Sequence, residues 1–273
     1  MIAFLKKHGR EAVMTIAVIL CAVLFGMMIL MFFRYRTILD EQVDLCLVAR
    51  RNELQGTMDD AVIGYEALAE ATAGAVASAR DPEAVGTALN GLLSGEAYGG
   101  VLRMRYWMGG VEYADGVPYE NELAVTRELY RGGAVGHTGV VTDPVLGMNT
   151  IVFYAPTDPD RPEGAVEGVA LLCSTVSISE FCRRYDENVF RDARYFALCD
   201  GDGNILHPIR NEFDRVGLYE NLPDAVQSLS GDARAETQLR QLLGGAASGT
   251  VRADFGGSTY AVSVSACRGG GLY

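Results

Sequence analysis

Twenty-two consecutive residues, Ala12–Phe33, carry no charge, and only Thr15 and Gly26 interrupt their apolar character. As a helix rising about 1.5 Å per residue, the run reaches roughly 33 Å, enough to cross a hydrocarbon core of about 30 Å. A cleaved signal peptide would show a shorter apolar region of about 7–15 residues and a small-x-small cleavage site. Here the run closes on Met31-Phe32-Phe33-Arg34, so an uncleaved anchor is expected. Lys6, Lys7 and Arg10 precede it, against Arg34 and Arg36 on the far side, and this excess places residues 1–11 in the cytoplasm. The expectation is a single-pass protein of the cell membrane that meets the lipid bilayer through residues 12–33 and holds residues 37–273 outside the cytoplasm.

The net charge of −12 conceals an asymmetry. Residues 1–36 hold five basic side chains against Glu11 alone, which leaves 18 basic and 34 acidic side chains on the remaining 237 residues. A body this acidic repels phosphate backbones, so nucleic acid is not an expected partner. Six dispersed cysteines (Cys21, Cys46, Cys173, Cys182, Cys199 and Cys267) make no C-x-x-C pair. They read as small apolar fillers, with one disulfide as the alternative. His137 and His207 are far apart, and no G-x-S-x-G, H-E-x-x-H, G-x-x-x-x-G-K-[ST] or G-x-G-x-x-G occurs. No catalytic residue, metal site or cofactor is therefore expected in this chain.

After the apolar run, residues 34–80 read as one long helix. Leu47, Leu54, Ala61, Leu68 and Ala75 fall seven apart, and Asp81-Pro82 marks the end. This seam is suited to packing on its own domain or on a second copy as a homodimer. The pattern then changes to period two. Gly100–Met108 and Val111–Asp115 form a hairpin across Gly109-Gly110, followed by a helix around Glu120–Arg131 and strands at Gly139–Thr142, Thr150–Pro156 and Val166–Thr175. Ser177 to Glu180 is a capping box opening a helix to about Arg191. The order then repeats. A hairpin (Arg194–Asp200, Asn204–Pro208) is followed by helices near Asn221–Leu229 and Ala233–Leu243, then strands Gly249–Phe255 and Ser258–Cys267. Fold class α+β follows, with two antiparallel-sheet units at residues 85–191 and 194–273. The second unit lacks its last strand, which would begin near Leu272-Tyr273, so the polypeptide is expected to continue with that strand, a second membrane helix and a cytoplasmic module.

This order of parts resembles a double Cache sensor domain with PAS-like units, as found in bacterial transmembrane receptors. The echoes are Val101–Gly116 (VLRMRYWMGGVEYADG), Thr142-Asp143-Pro144, Val152–Pro156 (VFYAP), Gly164–Leu171 (GAVEGVAL) and Tyr195–Ile205 (YFALCDGDGNI), over residues 38–273. The resemblance implies that the membrane-distal unit holds a small molecule of the amino acid or organic acid class. The proximal unit would relay the change to a cytoplasmic output, with diguanylate cyclase of the GGDEF type as the preferred continuation and a histidine kinase or chemotaxis transducer as alternatives. A membrane-anchored structural or adhesive protein without an output domain is the reading from another class.

Strand alternation puts Arg103 and Arg105 on one face of the first hairpin and Met104 and Tyr106 on the other. Turned towards a pocket, the planar guanidinium forks suit a carboxylate, and Asp143 or Asp115 suits an amine. The expected ligand-binding set is Arg103, Arg105, Trp107, Tyr113, Asp115, Asp143 and Tyr154. The family's amino-acid motif sets an arginine two residues before a tryptophan and a tyrosine. Arg105 and Trp107 match it and Met108 departs from it, which leaves amino-acid specificity open. Asp200-Gly201-Asp202-Gly203-Asn204 begins like a calcium loop, but Ile205 and Asn211 stand where glycine and glutamate are required, so a hairpin turn is expected.

Overall fold

In the computed structural model, residues Ile2–Val76 form one helix, α1, so the membrane run and the helix expected after it are a single element. No proline or glycine separates them, and the Thr37 hydroxyl donates back to the Phe33 carbonyl at 3.1 Å. The structure describes residues 2–114, 116–119, 133–143, 147–158, 160, 163–177, 196–209, 219–245, 247–255, 257–269 and 271–273. The chain divides into two compact units, Met1–Ala49 and Arg50–Tyr273. The first is helix alone. From Val13 to Phe33 its large apolar side chains stand exposed, Leu30 at 70% and Phe33 at 60%, and the helix is long and apolar enough to cross a membrane.

In the second unit α1 lays Met58, Val62, Tyr65, Ala69, Ala73 and Val76 on a sheet. These positions recur every three or four residues. The sevenfold seam read from the sequence drifts off this face by about 20° per heptad, and Ala75 ends exposed while Leu68 is half-buried. α1 stops at Val76, short of the expected Arg80, and a second helix not foreseen from the sequence follows, α2 (Pro82–Leu93). Asp81 caps α2, its Oδ1 accepting from the Glu83 amide at 3.0 Å, with Pro82 in the first turn.

Six antiparallel strands form the sheet: β1 (Val101–Met108), β2 (Val111–Ala114), β3 (Val117–Pro118), β4 (Gly136–Thr142), β5 (Asn149–Pro156) and β6 (Val166–Ser174). Their order across the sheet is β3-β2-β1-β6-β5-β4. The β1–β2 hairpin turns on Gly109 (φ 60°) and Gly110 (φ 80°), a left-handed pair that glycine adopts without a Cβ penalty. One sheet face (Met104, Tyr106, Ile151, Phe153, Val169, Leu171) shares the core with α1, and Tyr65 stacks on Phe153 at 5.1 Å. Full burial of a side chain of this size stabilises by about 1.5–3 kcal/mol.

The C-terminal half follows the expected order: β7 (Phe196–Cys199), β8 (Ile205–Ile209), α3 (Leu222–Ser230), α4 (Ala233–Gly244), β9 (Gly249–Phe255) and β10 (Ser258–Val264). Val226, Leu239, Leu243, Val251 and Val264 make its own core. Among the described residues its strands form two ladders, β7-β8 and β10-β9. Tyr273 exchanges both main-chain hydrogen bonds with Cys199, at 2.8 and 2.9 Å. The β7–β8 turn is closed by Asp200, whose Oδ1 accepts from the amides of Asp202 (3.0 Å) and Asn204 (2.8 Å), so its carboxylate serves the turn. The helices expected at 120–131 and from Ser177 to Arg191 fall on residues outside those described, apart from Ser177 itself, as do Asp115, Pro144 and Cys182.

Candidate functional site

The sheet face turned away from α1 carries the charge. The two-residue turn sets Trp107 opposite Glu112 and Arg105 opposite Ala114. The neighbouring strand brings Ala170 beside Arg105 and Leu172 beside Arg103. β5 adds Val152 and Tyr154 in register with Leu172 and Ala170. Trp107, Val152, Ala170 and Leu172 form a buried apolar patch there, with Val141 against it.

Arg105 sits in this patch with no exposed surface. One terminal nitrogen donates to Asp143 Oδ2 at 2.7 Å and the other to Glu112 Oε1 at 3.4 Å. Both carboxylate side chains are fully buried. The guanidinium carbon lies 4.6 Å from the centre of the Tyr119 ring, and that of Arg103 lies 6.0 Å from it. An arginine over a tyrosine face at these distances gains about 0.5–2 kcal/mol, more as water is excluded. Asp143 reaches the cluster because it heads the β4–β5 turn, where its amide donates to Met148 O (2.9 Å) and its carbonyl accepts from Gly147 N (2.8 Å). Arg105 Nε and Tyr119 Oη are buried without a hydrogen-bond partner among the described residues.

The expected set is therefore only partly brought together. Arg103, Arg105, Trp107 and Asp143 share the face or its rim. The Arg105 fork, expected to await a ligand carboxylate, is engaged by Asp143 and Glu112. Tyr113 belongs to the opposite face: it pairs with Tyr106 and stacks on it at 5.1 Å, with 7° between the rings. Burial first, then Tyr113 and Asp81, push the Tyr106 phenol up to about 12, and its hydroxyl donates to Pro82 O at 2.7 Å. Tyr154 lies on the Arg105 face by register, but its hydroxyl leans over Gly136, where a Cβ would stand 2.7 Å away. Burial and the nearby Glu66 carboxylate raise its pKa. Glu112 and Tyr119 were not anticipated. The hairpin register would have found Glu112, because a two-residue turn after Met108 makes it the cross-strand partner of Trp107. Nothing in the sequence pattern marks Tyr119. Among the described residues no group of three or more His, Cys, Asp or Glu side chains is placed to hold a metal.

No protein-family profile matches the chain, and no curated protein matches its sequence. Solved structures do match its fold. The ligand-binding domain of the Pseudomonas aeruginosa PAO1 amino acid chemoreceptor PctB, in complex with L-Arg, aligns over 83% of each chain at 16% identity and TM-score 0.54. That of the Pseudomonas fluorescens chemoreceptor CtaA, in complex with L-isoleucine, aligns over 87% of this chain and 92% of its own at 16% identity and TM-score 0.57. The extracellular domain of the putative histidine kinase rpHK1S-Z16 aligns over 84% and 92% at 14% identity and TM-score 0.56. The chain shares the fold of these sensor domains.

Proposed function

We propose that this chain is the extracytoplasmic small-ligand sensor region of a bacterial transmembrane receptor of the double Cache kind. Residues 12–33 anchor it, the N-terminus lies in the cytoplasm, and ligand-driven change passes inward to an output module. The observation that carries this reading is the buried Arg105–Asp143–Glu112 cluster, set among apolar side chains on the sheet face away from α1. Holding three ionisable side chains there is costly unless they are mutually paired, and a plain packing face would not need them. The similar folds named above bind L-Arg and L-isoleucine or belong to a kinase, which favours ligands of the amino acid class. With the Arg105 fork engaged, a ligand carboxylate would have to compete with Asp143 for it. Diguanylate cyclase remains the output implied by the resemblance, and the kinase and chemoreceptor folds favour those two alternatives.

A homodimer through α1 belongs to the same reading. The exposed side of the helix presents Gly56, Gly64, Ala67, Ala71 and Gly74, and nothing lies within 4 Å of a Cβ built on any of these glycines. A second α1 could approach closely there.

A thermal-shift screen of the full chain in detergent tests the sensor reading, with amino acids, organic acids and polyamines as probes. A binder at one hundred times its Kd adds about 2.7 kcal/mol, which corresponds to roughly 5–10 °C in Tm for a domain of this size. The reading is lost if no probe raises Tm and Arg103→Ala and Arg105→Ala leave binding and signalling unchanged.

A further inference from the structure

We infer that the turn from Cys267 to Leu272 is a conformational coupler that locks the edge strand β4 to α1 and passes displacement of either on to β7. The turn is closed by Cys267 N donating to Leu272 O at 2.8 Å. Cys267 and Leu272 are both buried in the core that α1 shares with the six-stranded sheet, although they follow β10 in the chain. The segment thus belongs by sequence to the C-terminal half and by packing to the first sheet.

Two α1 side chains on one stripe, Gln55 and Asp59, hold it in place, and a third on the same stripe, Glu66, holds β4. Gln55 Nε2 donates to Ala266 O at 2.9 Å, and Gln55 Oε1 accepts from the Ser265 hydroxyl. Asp59 Oδ1 accepts from the Arg268 amide at 2.6 Å. Glu66 shares a hydrogen bond with His137 Nδ1 at 2.9 Å, and His137 stands on β4. The His137 ring lies so close to the turn that a Cβ on Gly269 would strike it, and Gly269 is in the left-handed region at φ 82°. Gly271, at φ 80°, repeats the arrangement against Gly139, where a Cβ would come within 3.1 Å of the main chain. Two glycines in one short turn are therefore required both by backbone conformation and by contact with the same strand. Immediately after the turn, Tyr273 makes its reciprocal pair with Cys199 on β7. β4 (against Gly269 and Gly271), α1 (through Gln55 and Asp59) and β7 (through Tyr273) all contact the short segment that follows β10, so a shift of one either moves the others or breaks these contacts. The coupling concerns the fold and stands independently of what binds beside Arg105.

Hydrogen–deuterium exchange of the full chain in detergent micelles, read by mass spectrometry, tests this. His137→Ala and Asp59→Ala release the turn from opposite sides. Each is expected to speed exchange at least about tenfold both in residues 136–142 and in residues 196–199 and 272–273, the loss of one or two hydrogen bonds. Thr259→Ala, which removes a 2.6 Å bond to Asp254 within the β9–β10 hairpin, is the control and should change neither segment. No acceleration, or acceleration confined to the helix, strand or turn that carries or directly contacts the substituted residue, overturns the inference. So does equal acceleration in residues 249–264, which marks general destabilisation. If His137→Ala does not fold, Asp59→Ala, at a half-buried position, decides by the same two criteria.

Discussion

Replacing Asp143 by alanine leaves the Arg105 guanidinium buried with Glu112 at 3.4 Å in place of a 2.7 Å partner. At an effective dielectric constant of about 20, a unit charge pair at the shorter distance is worth roughly 6 kcal/mol before desolvation. Part of this is cancelled by the cost of taking the charges from water, and removal of one member of a buried pair typically costs about 3–5 kcal/mol. For a folded unit of this size that loss lowers Tm by about 6–20 °C. Glu112→Gln should cost less, about 1–3 kcal/mol, because the bond it makes to Arg105 is long and an amide oxygen still accepts it. The assay is built into the chain. Its single tryptophan, Trp107, is 2% exposed on the same face and two residues from Arg105, so denaturant unfolding followed by fluorescence reports the cluster directly. A double-mutant cycle of Arg105→Met with Asp143→Leu should give a coupling energy of about 1–3 kcal/mol. Destabilisation by Asp143→Ala of less than about 1 kcal/mol, or a larger loss from Glu112→Gln, would refute the reasoning, because it would mean that Asp143 is not the principal partner of a desolvated guanidinium.

Three further outcomes are expected. Burial holds the Tyr65 and Tyr106 phenols up to about 12 against an ordinary 10.0, so the folded state retains protons that the unfolded chain releases. Their contribution to stability should be constant below pH 10 and fall as pH rises from 10 towards 12, with Tyr106→Phe flattening the decline in a pH series of denaturant midpoints. Burial also pushes the Cys199 thiol up to about 12 and raises that of Cys173, and Cys267 is buried too, whereas Cys46 is exposed. In a Cys182→Ser background, a membrane-impermeant maleimide on intact cells should label Cys46 and spare the three buried thiols, and labelling only after lysis would reverse the proposed orientation. Ala71→Cys should form an intermolecular disulfide under mild oxidation if a second α1 packs on the small-residue side, and a monomer on non-reducing gels would exclude that arrangement.

Much of the architecture was legible because its turns have chemistry. Gly109-Gly110 and Asp200 to Asn204 announced their hairpins, and the helices that Asn221 and Asp232 cap in the structure start close to the expected places. Asp81-Pro82 misled, since the same dipeptide that ends a helix also caps and starts the next one. The sevenfold seam on α1 misled for a geometric reason: only a supercoiled partner keeps such a seam in line, and a single helix on a sheet follows its own 3.6-residue turn. At the site, the faces of Arg105 and Trp107 follow from alternation, and Tyr113 was misplaced by neglecting that the hairpin register fixes its face as well. That Arg105 would be answered by Asp143 was beyond sequence reasoning, because the two stand 38 positions apart and meet through the sheet order that places β6 and β5 between β1 and β4.

Along β1, neighbours have opposite duties: Met104 and Tyr106 are committed to α1, while Arg105 and Trp107 serve the charged side. Every second position is tied to the scaffold, and those between are released from that duty. Under the proposed sensor reading, substitution at the odd-numbered sites would change which molecules are recognised and leave the packing on α1 intact.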